Sequence, residues 1–564
     1  MRYQNILYNG ININPIWPPR NIEAYSDPIE VPYLLNPPKL INIDVGRQLF
    51  VDDFLIKYSN FKRIYHSAEV HPSSPVLVPE TDIELNNNKC PMSAPFNDGV
   101  WYDDSDNLFK MWYHAGWFDG TALATSVDGI SWNRPKLDVI PGTNAIIQKK
   151  VGYKFQDDQK IKKTKHTKTK IVSHIHSTTG FNRRDGSLVW LDPFCDSNER
   201  YKMFLFFRWY DGSIWPDRSS GHIFTSADGI HWTEKGKTSS CGDNSSFFYN
   251  PFRKKYVFSI REGWPYRARA YYENTDFLGV FKWKDGEQVK WYRTDKLDQS
   301  DPLIGDVPRL YDLNAVAYES IMLGAMGIFY GPQNPVCAKT GKPKIIDLQL
   351  GYSRDGFHWH RPNRKGFISS SRKYGTWDYG YIHSSGGLCL IVGDELWFYY
   401  GAFSGKGSKL NPGETGDYVQ ENAMYAGAST GLAKLRRDGF ASMVANDQSC
   451  ELVTNLLNFS GKYMFVNAKV PNGELRIEIL DHEQRLIEPF SANNCYPISE
   501  DGTKICVNWK GSNNLSQLID KSVSFKFIMT NGSLFSFWMS PDKTGKSKGF
   551  LAAGGPGYKN QIDL

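Results

Sequence analysis

Long apolar runs are missing from these 564 residues: no stretch of about 18 consecutive apolar side chains exists, which excludes a membrane-spanning helix. Paired cysteines are missing too. The eight cysteines are scattered without a CxxC, so neither a zinc site nor a dense disulfide framework is expected. The first twenty residues mix Asn, Pro and Ile and lack the charged start and apolar centre of a secretion signal. The simplest expectation is a cytoplasmic protein, although a secreted or periplasmic chain with its leader trimmed would read the same way. Net charge is small, +6. The most basic stretch, residues 159–170, has no aromatic side chain to stack a base, so it reads as a solvated loop and no nucleic-acid partner is expected. Helical periodicity is almost absent, which excludes Rossmann and TIM-barrel layouts because both need a helix between successive strands.

What the chain does have is aromatic residues: 17 Trp, 31 Tyr and 33 Phe, suited to pleated strands and to sugar-binding clefts. It also has a repeat. Ser126-Val127-Asp128-Gly129-Ile130-Ser131-Trp132 recurs as Ser226-Ala227-Asp228-Gly229-Ile230-His231-Trp232 and as Ser353-Arg354-Asp355-Gly356-Phe357-His358-Trp359. Weaker copies begin at Thr275-Asp276-Phe277 and at Arg437-Asp438-Gly439-Phe440. Asp-Gly supplies the positive φ of a tight turn, and short alternating strands precede each copy. Five copies predict five four-stranded blades, an all-β, five-bladed β-propeller. Beyond about Met443 the alternation becomes cleaner, as in Leu475–Asp481 and Val523–Ile528, which predicts a C-terminal β-sandwich. The expected division is an N-terminal arm over 1–45, a catalytic propeller over 46–445 and a sandwich over 446–564.

Several segments together resemble bacterial glycosidases related to glycoside hydrolase families 32 and 43. They are Val51-Asp52-Asp53-Phe54-Leu55-Ile56, Arg184-Asp185-Gly186, Gly242-Asp243-Asn244-Ser245-Ser246, Val316-Ala317-Tyr318-Glu319-Ser320 and Thr430-Gly431-Leu432-Ala433. The resemblance spans roughly Val45 to Met539. It implies three acids around a central funnel: an Asp as nucleophile or base, a second Asp that steadies the transition state, and a Glu as acid. By position these are Asp98 in Phe96-Asn97-Asp98-Gly99, Asp185 in Arg184-Asp185-Gly186, and Glu319. The prolines that flank the two Asp residues in family 32, and its Glu-Cys dipeptide, are absent here.

Glycosidic cleavage needs one protonated and one ionised carboxyl group on either side of the scissile bond. An acid in an apolar strand is costly unless it is paired or functional, which is why Asp98, Asp185 and Glu319 stand out. Asp98 could equally be a turn residue, Asp185 a partner of Arg183 or Arg184, and Glu319 a buried partner of an arginine. Asp243 is a fourth candidate, with a turn role as its alternative. Arg261, Arg267 and Arg269 could clamp a carboxylate or hydroxyls, or balance Glu262 and Glu273. They also keep a phosphorylase open, since that activity needs basic residues beside a single acid. His383 could bond a sugar hydroxyl, and Trp101, Trp117 and Trp377 could offer stacking faces. The expectation is a glycoside hydrolase acting on a furanoside or related plant or microbial oligo- or polysaccharide, with inversion. The alternative is a non-catalytic carbohydrate-binding propeller. No cofactor and no catalytic metal is expected; a structural calcium ion in the channel is compatible with converging carboxylates but specified by no ligand pattern.

Overall fold

The computed structural model describes residues 6–20, 22, 26–88, 90–148, 181–210, 218–263, 266–284, 286–340, 342–405 and 425–564. The basic stretch at 159–170 lies outside them. Five antiparallel blades surround one channel. Blade one comprises Met92–Asp103, Leu108–Ala115, Gly120–Ser126 and Ala145–Gln148. Blade two comprises Phe181–Leu191, Tyr201–Tyr210, Arg218–Ser226 and Thr233–Lys237. Blade three runs Ser246–Asn250, Lys255–Glu262, Ala268–Asn274 and Val289–Tyr292. Blade four has Arg309–Glu319, Ile321–Gly331 and Ile345–Ser353, extended outward by bridges to His360 and Ile368. Blade five has Gly380–Ser384, Glu395–Phe403 and Ala428–Arg436, and its outer strand, Glu69–Val70, comes from ahead of blade one.

All five copies of the repeat follow the third strand of their blade, so the sequence register of the blades is correct. The reason is local chemistry. In blade one Ser126 Oγ accepts from the Gly129 N–H at 2.8 Å, while Asp128 Oδ1 accepts from Ile130 and Ser131 at 2.8 and 2.7 Å. Blades two and four repeat this around Asp228 and Asp355. The turn also locks blade to blade. The Gly129 carbonyl accepts from Tyr399 of blade five, Gly229 from Trp112 of blade one, and Phe357 from Trp291 of blade three. An aromatic that fills the inter-blade core thereby spends its one polar hydrogen on the neighbouring turn.

The sandwich draws on both ends of the chain, which corrects the expected boundaries. One sheet joins Asp501–Val507, Tyr463–Lys469, Gly532–Ser540, Ala441–Ala445 and Lys62–Tyr65, with Gln48–Leu49 on Gly532–Ser540. The other joins Glu474–Leu480, Ser524–Thr530, Cys450–Thr454 and Ile56–Ser59. Residues 48–65, expected in the propeller, therefore belong to the sandwich sheets, and Phe50, Phe54 and Leu55 enter its core beside Phe525, Phe527 and Phe537. In return Phe550–Leu551 pairs with the inner strand of blade four. All eight cysteines are free. Among the described residues no helix is long and apolar enough to cross a membrane.

Candidate active site

Inner strands of a propeller run side by side, so residues at equal depth on different blades meet in the channel. The pairing of Asn97 with Ser187 and of Asp98 with Leu188 sets this depth for blades one and two. Asn314 sets it for blade four and blade five, its amide donating to Asn97 Oδ1 at 3.0 Å and to Ser384 Oγ at 2.9 Å. At or just above this level every blade contributes an ionisable side chain.

Blade one gives Asp98. A break in register between Ala94 and Gly99, with positive φ at Asn97 and Asp98, lifts this segment out of the ladder. The buried carboxylate accepts from the Phe96 N–H at 2.8 Å and from Arg184. Burial pushes its pKa up to about 7, against the pull of the Arg184 guanidinium. Blade two gives Asp185, in a bulge between Arg184 and Ser187, where a side chain on Gly186 would press on Asn244 of blade three. Asp185 Oδ1 accepts from the Gly186 N–H at 2.9 Å. Blade three gives Asp243, ion-paired with Arg261 in the loop that leads into its first strand.

Blade four gives Asp312. Its Oδ1 accepts from the Gly327 N–H at 2.9 Å, and its Oδ2 lies 3.3 Å from His383 Nδ1 of blade five. His383 packs against Phe96 with ring centroids 4.1 Å apart, and burial lowers its pKa, which favours the neutral ring. Its buried Nε2 has no hydrogen-bond partner among the described residues. Asp312 thus orients the imidazole through its Nδ1. Tyr311 and Tyr381, whose hydroxyls bond each other, stand above this pair, and Lys344 lies among their rings. Asp312, Tyr311, Tyr381 and Lys344 were not singled out from sequence. The alternation Tyr311-Asp312-Leu313-Asn314 at the head of a strand was the available signal for the first two.

Three expected site residues lie elsewhere or are otherwise engaged. Glu319 ends the blade-four strand, five residues past Asn314 and so roughly 16 Å further down the channel wall. There its carboxylate accepts from Arg437 at 2.9 Å, Ser547 Oγ at 2.7 Å and the Arg47 N–H at 3.1 Å, which makes it a buried tie to the sandwich. Trp101 is fully buried against Trp190 and donates to the Val189 carbonyl at 2.9 Å, so it offers no face to a sugar. Arg269 is buried with its guanidinium on the carbonyls of Asn244 and Tyr311, fastening blade three to blade four. Arg267 remains at the site, its guanidinium 4.1 Å over the Tyr311 ring. Trp117 is buried and stacks on Tyr425 at 4.2 Å, and Trp377 is half-buried beside Tyr400. Among the described residues no group of three or more His, Cys, Asp and Glu is arranged to hold a metal ion.

No protein-family model matches the sequence, and no curated protein does. Solved structures do resemble the fold. An N-acetylgalactosamine deacetylase from F. plautii, in complex with blood group B trisaccharide, is 12% identical with a TM-score of 0.36, over 70% of this chain and 97% of that one. A fructofuranosidase from Schwanniomyces occidentalis complexed with fructosylnystose is 10% identical with a TM-score of 0.34, over 84% and 98%. A thermostable family-43 glycoside hydrolase is 9% identical with a TM-score of 0.36, over 61% and 92%. The case for function therefore rests on the residues of the channel.

Proposed function

We propose that this chain is a glycoside hydrolase whose reaction takes place where Asp98, Asp185, Asp243 and Asp312 converge on the channel. The observation that carries the reading is the difference in environment between two of these carboxyl groups. Asp98, wholly buried, has its pKa raised to about 7 and so holds a proton near neutral pH, as a general acid must. Asp243, ion-paired with Arg261 as Asp98 is with Arg184, keeps some exposure in the loop ahead of blade three and is given the role of base. A sugar lying across the channel between blades one and three would have the acid on its leaving oxygen and the base on the opposite side of C1.

In that reading Asp98 protonates the leaving oxygen while Asp243 takes a proton from the attacking water, and Asp185, on the blade between them, faces the positive charge that develops at C1. His383, set by Asp312, binds a hydroxyl. Inversion is the expected outcome; it requires about 6.5–9.5 Å between the two carboxyl groups, room for a water. A furanoside or related plant or microbial glycan is the expected substrate class.

The test is a screen of aryl glycosides and plant polysaccharides with the full chain, the first-formed anomer followed by proton NMR. Asp98→Asn and Asp243→Asn should each lower kcat by about a hundredfold or more on any substrate found. Glycan binding without turnover across the screen would instead make this a carbohydrate-binding propeller.

A further inference from the structure

Above the carboxylates, between blades three, four and five, the charge balance reverses. Lys344 precedes the third strand of blade four and is almost fully buried, at 4% exposure. Its ammonium lies 5.5–5.7 Å from the ring centroids of Tyr311, Phe329, Tyr381 and Tyr425 and has no hydrogen-bond partner among the described residues. Ring faces compensate a buried cation only in part, and none of its three N–H donors is used. The Arg267 guanidinium lies 4.1 Å from the Tyr311 ring centroid, and its buried Nη1 has no partner among the described residues. The nearby carboxylate, Asp243, pairs with Arg261 and also favours the charged forms of Arg267 and Lys344, one negative charge among three cations.

Two neighbouring cations that keep N–H donors no described residue takes up, one buried and the other half-buried, leave room for a further acceptor. Burial and the charge of Arg267 lower the pKa of Lys344, a shift that a bound anion would oppose. Lys344 supplies a point charge and Arg267 a planar fork, the combination that suits an oxyanion of carboxylate, sulfate or phosphate type.

We infer that Lys344 and Arg267, framed by Tyr311 and Tyr381, form an oxyanion-binding subsite at the mouth of the channel. This inference rests on the reading of the channel as a sugar site, and it narrows the substrate class. The anion is either an acidic group carried by the glycan or an inorganic phosphate that accompanies it. In the second case phosphate replaces water at C1: a phosphate oxygen bonds to C1 as the glycosidic C–O bond breaks, and the proton of the acid passes to the leaving oxygen.

The experiment is isothermal titration of the full chain with inorganic phosphate, sulfate, galacturonate and galactose at fixed ionic strength. At least one of the three anions should bind more tightly than galactose, and Lys344→Met and Arg267→Gln should each weaken that binding by about tenfold or more. Melting curves establish that the variants fold, and Lys344→Arg should recover part of the affinity. Turnover then separates the sources. Preference for aryl uronides over neutral aryl glycosides identifies an acidic glycan, and phosphate-dependent release of a sugar phosphate identifies the second. If none of the anions binds, or if both folded variants bind as the wild type does, the inference is overturned. Anion binding without turnover on any glycoside would keep this subsite and discard the hydrolase reading.

Discussion

Asp98 links pH to both activity and stability. Its pKa is about 7 in the folded chain and about 4 in an unfolded one. Between those values the native state holds a proton that the unfolded state has released, so stability falls as pH rises through that window. The melting temperature of the wild type should therefore drop relative to Asp98→Asn between pH 4 and pH 7, and the difference should level off above pH 7. If Asp98 is the acid, kcat/KM should also fall above about pH 7, a limb readable in a pH-rate profile. Asp185→Asn should cut turnover by about a hundredfold with an unchanged circular dichroism spectrum, since its charge is used only as C1 becomes positive. Sequence exposed Asp98 and Asp185 because an acid beside apolar strand residues is expensive. It could not rank Asp312 against Glu319, which lie near opposite ends of one strand in similar apolar company. Only the direction of that strand through the channel separates them. Lys344 was hidden for a different reason: Gly341-Lys342-Pro343-Lys344 reads as an exposed loop, and the rings around its ammonium come from residues distant in sequence.

At the scale of the element, the Ser-x-Asp-Gly turn is the unit the sequence made plain, because nearly all of its hydrogen bonds fall within five residues. Gly229 shows how firmly the turn is held: its φ is +77°, and a methyl group there would lie 2.4 Å from the Trp112 ring. Gly142 has a similar φ of +82° with open space around it. Both Gly→Ala changes bear the cost of a left-handed residue, about 1–2 kcal/mol, and Gly229→Ala bears the clash in addition, about 1–3 kcal/mol more. Urea denaturation of the two variants should show the larger loss at Gly229, and equal losses would mean that the Trp112 contact is soft. The strands from Gln48 to Tyr65 were harder to place. Their alternation marks them as strands, but pairing with residues near the far end of the chain leaves no local trace.

Across the whole molecule, propeller and sandwich are held by a buried ionic knot. Asp438 of the fifth repeat accepts from Arg47 at 3.0 Å, Tyr318 at 2.5 Å, Ser536 at 2.7 Å and Asn467 at 3.1 Å, while Glu319 binds Arg437 beside it. Glu319→Ala should cost about 3–5 kcal/mol by stranding Arg437, visible as a lower melting temperature, while turnover per folded molecule stays as it was. A comparable loss in kcat at a temperature where the variant is fully folded would return Glu319 to the chemistry. Removing residues 446–564 should give insoluble protein, since the strands at 48–65 would lose their sheets.

The outer strand of blade five has a consequence for how the chain is made. Glu69 and Val70 are synthesised before any blade, yet their partners, Ala433 and Lys434, belong to the last. At 5–20 residues per second the first half of this clasp waits roughly 20–70 s for the second, about 360 residues later. A two-residue edge is short enough to wait without recruiting other strands. The ring therefore closes in a single late, long-range event, after four blades have had time to form on local contacts, and its seam is where a ribosome-bound chain stays open longest.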